Sequence, residues 1–249
     1  MDTARIQDLE FDLSSPVDIT IPLRQENNPN AFYLPKPKFE AAVAGSFVGD
    51  VNRGGSCNVN NICLSPHGNG THTECAGHIS NERHFIKDAL RQFHFVALLL
   101  SVEPAEAGPD KMVTLGAVQQ TWNRLNPVAT PAALVLRTLP NSEEKKQRVW
   151  SGSNPPHLEP DLVHWLNKQS IRHLLLDLPS VDREDDPNLS GHHIFFGYPQ
   201  QPDLHKTITE MIYVPDSATD GLYLLNLQVL ALESDASPSH PVLFPFINQ

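Results

Sequence analysis

At 249 residues, with 29 acidic against 18 basic side chains and a formal charge of −11, the chain can bury a sizeable core and carries a field that repels a phosphate backbone. No Lys/Arg cluster interrupts that balance, so nucleic acid is not an expected partner. The longest apolar runs, such as FVALLL at 95–100, fall far short of the roughly 20 residues of a membrane span, and the charged opening MDTARIQDLEFDLSS has no leader-like apolar stretch; a soluble, cytoplasmic protein without a membrane partner is expected.

In chain order, FDLSSPVDITIPL alternates weakly and reads as short strand and loop, and the proline- and asparagine-rich ENNPNAFYLPKPKFEA reads as a segment wrapped over a core or a neighbour. Cys57, Cys63 and Cys75 lie close together, yet their number is odd and no C-x-x-C occurs. They are expected to be reduced thiols rather than zinc ligands. ERHFIKDALRQF (82–93) spaces Phe85, Ile86, Ala89, Leu90 and Phe93 at near-helical intervals, with a strand left open because the stretch is short. FHFVALLLSVEP then predicts a buried strand, the later half of GPDKMVTLGAVQQTWNRLN a helix, and PAALVLRTLP another apolar strand. PHLEPDLVHWLNKQS predicts a helix, IRHLLLDLPSVD a strand, and REDDPNLSG a polar loop; LYLLNLQVLAL (222–232) alternates as a half-buried strand does. No repeat, low-complexity tract or Gly/Ser linker divides this α/β rhythm, so a single α/β domain over 1–249 is expected.

The densest chemistry is SPHGNGTHTECAGHI (65–79). On an extended backbone His72 and Glu74, two residues apart, point to one face and can grip one ion. Gly68 and Gly70 favour turn and strand, unlike the helical His-Glu-x-x-His zinc motif. Imidazole with carboxylate suits zinc or manganese in a site that keeps a position for water. A polar surface loop with chance histidines is the plainer alternative. HGNG is similar to the glycine loop of α/β-hydrolase esterases, but no G-x-S-x-G elbow occurs, which removes that reading. Asp177, Ser180 and Asp182 close an apolar strand, where capping the next turn or hydrogen-bonding to a ligand histidine is favoured over direct catalysis.

The stretch resembles the signature of the cyclase family, metal-dependent hydrolases that include bacterial kynurenine formamidases and isatin hydrolases, whose pattern is H-x-G-T-H-x-D-x-P-x-H. Gly70-Thr71-His72, Glu74 and His78 match it. FDLSSPVDITIP, ALVLRT, LLLDLPSVD, HHIFF and TEMIYV are similar to further family segments along most of the chain. Three positions depart: Gly68 stands where the first histidine belongs with His67 one residue out of step, Glu74 replaces an aspartate, and Ala76 replaces a proline. Either a loop bulge brings His67 into line and the longer Glu74 compensates, or the site has fewer ligands.

The resemblance implies a mixed, curled β-sheet flanked by helices, of the swivelling β/β/α type. It implies one or two divalent ions, zinc or manganese, held by His67, His72, Glu74, His192 and Glu210, with His192 preferred over His193. His78 then shuttles protons, with a metal-ligand role as its alternative. His157, His164, His173, His205 and His240 match no motif position and are expected to be surface or core histidines. The implied reaction is hydrolysis of a C–N bond in a small amide, as in N-formylkynurenine to kynurenine and formate. Hydrolysis of a cyclic amide or lactone, a lyase or dehydratase on the same scaffold, and a non-enzymatic metal-binding protein are the alternatives. Phe32, Tyr33, Phe39, Phe47 and Trp122 are candidates for an apolar substrate wall. A homodimer or homotetramer built partly by an arm at residues 1–40 is also implied.

Overall fold

Runs of Leu, Val and Ala without polar interruption must be buried on both faces, and here they become the middle of a nine-stranded mixed sheet. The computed structural model describes residues 2–247. Its main strands are β1 (Val17–Asp18), β2 (His72–Glu74), β3 (His94–Val102), β4 (Ala133–Thr138), β5 (His173–Leu176), β6 (Thr207–Glu210), β7 (Gly221–Asn226), β8 (Ala236–Pro238) and β9 (Val242–Pro245). They run in the order β8-β2-β6-β5-β4-β3-β7-β9-β1. The four central strands β6, β5, β4 and β3 are parallel, and both flanks are antiparallel.

Period-two alternation sorts the central side chains into two cores. Leu98, Leu100, Leu134, Leu136, Leu174 and Leu176 share one face with helical Leu162, Leu166, Phe195 and Phe196. Ala97, Leu99, Ala133, Val135 and Leu175 face the other way, toward Ile19, Ile212, Val214, Tyr223 and Leu225. The helices are a turn α1 (Ile86–Ala89), α2 (Leu115–Leu125), α3 (Pro160–Lys168) and α4 (Ser190–Phe196). Thr114 caps α2 by accepting from the Ala117 amide at 3.3 Å, and Pro160 starts α3 with its φ already helical. The result is the expected α/β architecture with a curled mixed sheet and helices outside it. Among the described residues no helix is long and apolar enough to cross a membrane.

Two local expectations change. The helix of 82–93 shrinks to α1, because the Ile86 amide donates to Ser234 O at 2.8 Å while Ile86 and Ala89 pack with Cys75 and Leu90 joins a different core. Tertiary contacts override the local pattern. The strand of 222–232 stops at Asn226, and both of its faces are buried, because Leu222 and Leu224 face one core while Tyr223 and Leu225 face the other. Within residues 2–40, Phe11, Ile19, Ile21 and Ala31 are buried in their own chain, and Phe11 packs against Phe246 with ring centroids 5.9 Å apart. The exposed segment comes later, in a ribbon where Lys38–Ala41 pairs with Asn60–Cys63 and Val43–Ala44 with Phe47–Val48.

Candidate functional site

The site begins with register. His72 on β2 lies opposite Glu210 on β6, and Glu74 lies opposite Ile208. Cross-strand partners share a face, so His72, Glu74 and Glu210 all point to the side that carries Ile208 and the helices. Thr73 and Thr209 point the other way and bond to each other, Oγ1 to Oγ1, at 2.8 Å.

The fourth side chain arrives from α4. Phe195 and Phe196 are fully buried and anchor that helix on the sheet, each contributing about 1.5–3 kcal/mol by burial. Asp182 fixes its start by accepting from the Gly191 and His192 amides, and it also takes His192 Nδ1 at 2.6 Å. A Cβ on Gly191 would come within 2.8 Å of the Asp182 carboxylate, so glycine permits this approach. His192 Nε2 is thereby aimed at Glu74 Oε1, 2.9 Å away, and lies 3.8 Å from Glu210 Oε1. His72 donates Nδ1–H to Gly70 O at 2.9 Å and presents Nε2 to Glu210 Oε2 at 3.4 Å.

His67 and His78 stand at the open side of this cluster. The glycine turn that carries His67 is braced by residues 28–35: Ala31 donates to Gly68 O at 3.0 Å, and buried Asn69 donates to Pro35 O at 2.9 Å. A Cβ at Gly68 would lie 2.8 Å from Leu34, so no side chain fits there and the neighbouring histidine carries the imidazole instead. His67 Nδ1 is 3.1 Å from Glu74 Oε2, and His78 Nε2 is 3.9 Å from the same oxygen. Both rings also reach Asp235 Oδ2, at 2.8 Å from His67 Nε2 and 3.4 Å from His78 Nδ1. His67, His72, Glu74, His78, His192 and Glu210, separated by up to 143 positions in sequence, therefore meet in one cluster. His193 turns away, toward Tyr198 O at 3.0 Å.

Among the described residues, two groups have the spacing to hold an ion: His72, Glu74 and Glu210, and His67, Glu74 and His78. His72 Nε2, both Glu74 carboxylate oxygens, His192 Nε2 and Glu210 Oε1 are buried and have no hydrogen-bond partner. Buried polar atoms are normally paired, and facing atoms left open in this way are what a shared cation satisfies. Charge is strongly redistributed in the cluster. Burial pushes the Glu74 carboxyl up, but the imidazoles of His78, His192 and His67 reverse this and hold it well below the usual range. Burial likewise opposes charge on His192, yet Glu74, Asp182 and Glu210 raise it well above an ordinary imidazole. His67 loses solvation too, but Asp235 and Glu74 lift it to about 10.

Of the acids closing β5, Asp182 supports His192, and Asp177 instead binds Lys145 Nζ at 2.8 Å and the Thr138 amide at 2.9 Å. Ser180 Oγ accepts from the Asp182 amide at 3.1 Å. Asp235 escaped the sequence reading, since it lies in a polar loop with no motif and reaches His67 across 168 residues. Of the aromatic residues considered for a substrate wall, Trp122 packs edge-on against Trp165 in the helix layer at 5.2 Å, Tyr33 is exposed, and Phe39 and Phe47 lie on the ribbon. Phe196, with its ring 6.4 Å from that of His192, is an aromatic group adjoining the cluster.

A family model described as "Putative cyclase" matches residues 11–183. A kynurenine formamidase of Bacillus cereus is 30% identical over 233 residues, covering 92% of this chain and 97% of the relative. A kynurenine formamidase of Bacillus thuringiensis is 31% identical over 231 residues, with the same coverage of 92% and 97%. Isatin hydrolase A from Labrenzia aggregata, solved with benzyl benzoate, shares the fold with a TM-score of 0.69 at 15% identity, over 93% of this chain and 94% of that one. With a family model spanning more than half its length and relatives matched almost end to end, the chain belongs to the cyclase family.

Proposed function

We propose that this chain hydrolyses the C–N bond of a small amide at a divalent cation held by His72, Glu74, His192 and Glu210, with His67 on its open side. The observation that carries this reading is the set of facing, buried and unpartnered ligand atoms on those four residues. Leaving buried ligand atoms without hydrogen bonds costs about 1–3 kcal/mol per neutral group and more for a carboxylate. A cation offsets that cost. Imidazole and carboxylate donors suit zinc first and manganese next, as one ion or two sharing Glu74. When bound, such an ion polarises a carbonyl and lowers the pKa of water toward 7.

The protein's own residues supply the remaining chemistry. His78, whose side chain is 26% exposed against 1% for Glu74, stands where substrate and water enter. Its Nε2 faces Glu74, so it is placed to take a proton from water and return it to the leaving nitrogen, a role worth about 10²–10⁴ in rate. Asp182 holds His192 in one orientation, and Gly70 O does so for His72.

The substrate class follows from the relatives named kynurenine formamidase. We propose an aryl formamide, with N-formylkynurenine giving kynurenine and formate. The test is zinc- or manganese-loaded protein incubated with N-formylkynurenine in ¹⁸O-labelled water. Formate carrying one labelled oxygen is expected, with the rate lost in His78→Ala. No turnover of N-formyl or cyclic aromatic amides by the loaded protein would refute the reading. A homodimer or homotetramer is part of the same proposal; exposed Val43, Val59 and Ile62 on the ribbon are apolar surface that a second copy would cover, which light scattering tests.

A further inference from the structure

We infer that Asp235 is the positioning residue for His78, holding its ring so that Nε2 stays free to accept a proton, and that it orients His67 with the same carboxylate oxygen. The inference rests on the reading of His78 as the base.

Asp235 cannot wander. Its carbonyl accepts from the Cys75 amide at 3.0 Å, and the preceding Ser234 carbonyl accepts from Ile86 at 2.8 Å, so the loop entering β8 is fastened to both sides of the His78 turn. Ser234 Oγ donates to Oδ1 at 3.2 Å, which leaves Oδ2 for the two imidazoles. The rings of His67 and His78 lie 4.2 Å apart at 31°, and the same oxygen meets Nε2 of one at 2.8 Å and Nδ1 of the other at 3.4 Å.

An ionised carboxylate only accepts, so each of those nitrogens carries its proton there. In a neutral imidazole the lone pair then falls on the opposite nitrogen: Nδ1 of His67 and Nε2 of His78, the two atoms that face Glu74 Oε2. His72 and His192 follow the same rule through Gly70 O and Asp182. Those two rings are buried, whereas His67 and His78 are 22% and 26% exposed, where water would accept from either nitrogen and release both tautomers. Asp235 removes that freedom on the exposed side of the cluster.

The test uses zinc-loaded full-length protein and the isosteric variant Asp235→Asn. The expected result is full zinc occupancy at saturating zinc, a kcat on N-formyl aromatic amides lower by about 10²–10⁴, KM within about threefold, and the His78 proton moved from Nδ1 to Nε2 in ¹⁵N imidazole spectra. A second variant, Asp235→Ala, leaves room for a small carboxylate and should regain part of its rate with acetate but not with acetamide. Unchanged kcat in both variants, or an unmoved His78 proton, overturns the inference. So does zinc loss in proportion to rate, which would make Asp235 a support for the ion rather than for the base. If wild-type protein turns over no amide, the substrate reading fails while the imidazole spectra still decide the role of Asp235.

Discussion

Glu74 and Asp177 are both fully buried carboxylates, and they are used in opposite ways. Asp177 accepts from the Thr138 amide and hydroxyl at 2.9 Å each and from Lys145 Nζ at 2.8 Å; Lys145 also donates to Thr138 O. Burial raises its carboxyl against the pull of Lys145, and its charge is compensated within the protein. Glu74 has imidazole nitrogens at 2.9 and 3.1 Å, yet neither of its oxygens makes a hydrogen bond. Burial does not distinguish a structural acid from a candidate cation ligand. The tally of satisfied lone pairs does.

Breaking each side of this contrast should give different losses. Glu74→Gln removes the carboxylate charge shared by both candidate ion groups, and amide hydrolysis should fall by about 10³-fold or more because the activated water is lost, as a steady-state assay would read. Lys145→Met leaves Asp177 buried and unpaired, so urea denaturation should show a loss of roughly 3–5 kcal/mol with metal content unchanged. Asp182→Asn keeps the shape but weakens the hold on His192, and metal affinity should drop about 10–100-fold in a competition titration.

The smallest effect concerns two buried histidines. His192, among acids, is pushed up, whereas His173, stacked on Phe95 at 3.9 Å and bonded to Thr207 Oγ1, is pushed down to about 3, first by burial and then by Arg172. Between about 6.5 and 3 the unfolded chain binds a proton at position 173 that the native state refuses. His173 therefore favours the fold at neutral pH, and stability should fall as pH drops, by roughly 1.4 kcal/mol per unit from this group. His173→Gln should lose that slope. Urea midpoints of both proteins at pH 7, 6 and 5 isolate the difference.

The apolar runs at 95–100, 133–136 and 174–176 made the central strands readable, because a sheet covered on both faces accommodates them. That His72 and Glu74 share a face was readable from period two, whereas their role as ligands, and the choice of His192 and Glu210, came only with the family resemblance. Less legible was whatever depends on a distant partner. The 82–93 stretch shows a helical pattern but yields its amide hydrogen bond to Ser234, and nothing near the start of the sequence marks Phe11 as the partner of Phe246. Asp235 was invisible, since an acid in a polar loop has no period or motif, and only the pairing of β8 beside β2 brings it to His67 and His78. His67 lay between these cases: its type was suggestive, but its register was explained only by the lack of room at Gly68.

The central claim is that Glu74 and its facing imidazoles exist to hold a cation. Metal analysis of purified wild-type protein and of Glu74→Gln, after equilibration with zinc and with manganese, tests it most directly. At least one tightly held divalent ion per wild-type chain, lost in the variant, is the predicted outcome. Equal metal content in the two proteins, or none in either, would contradict the account.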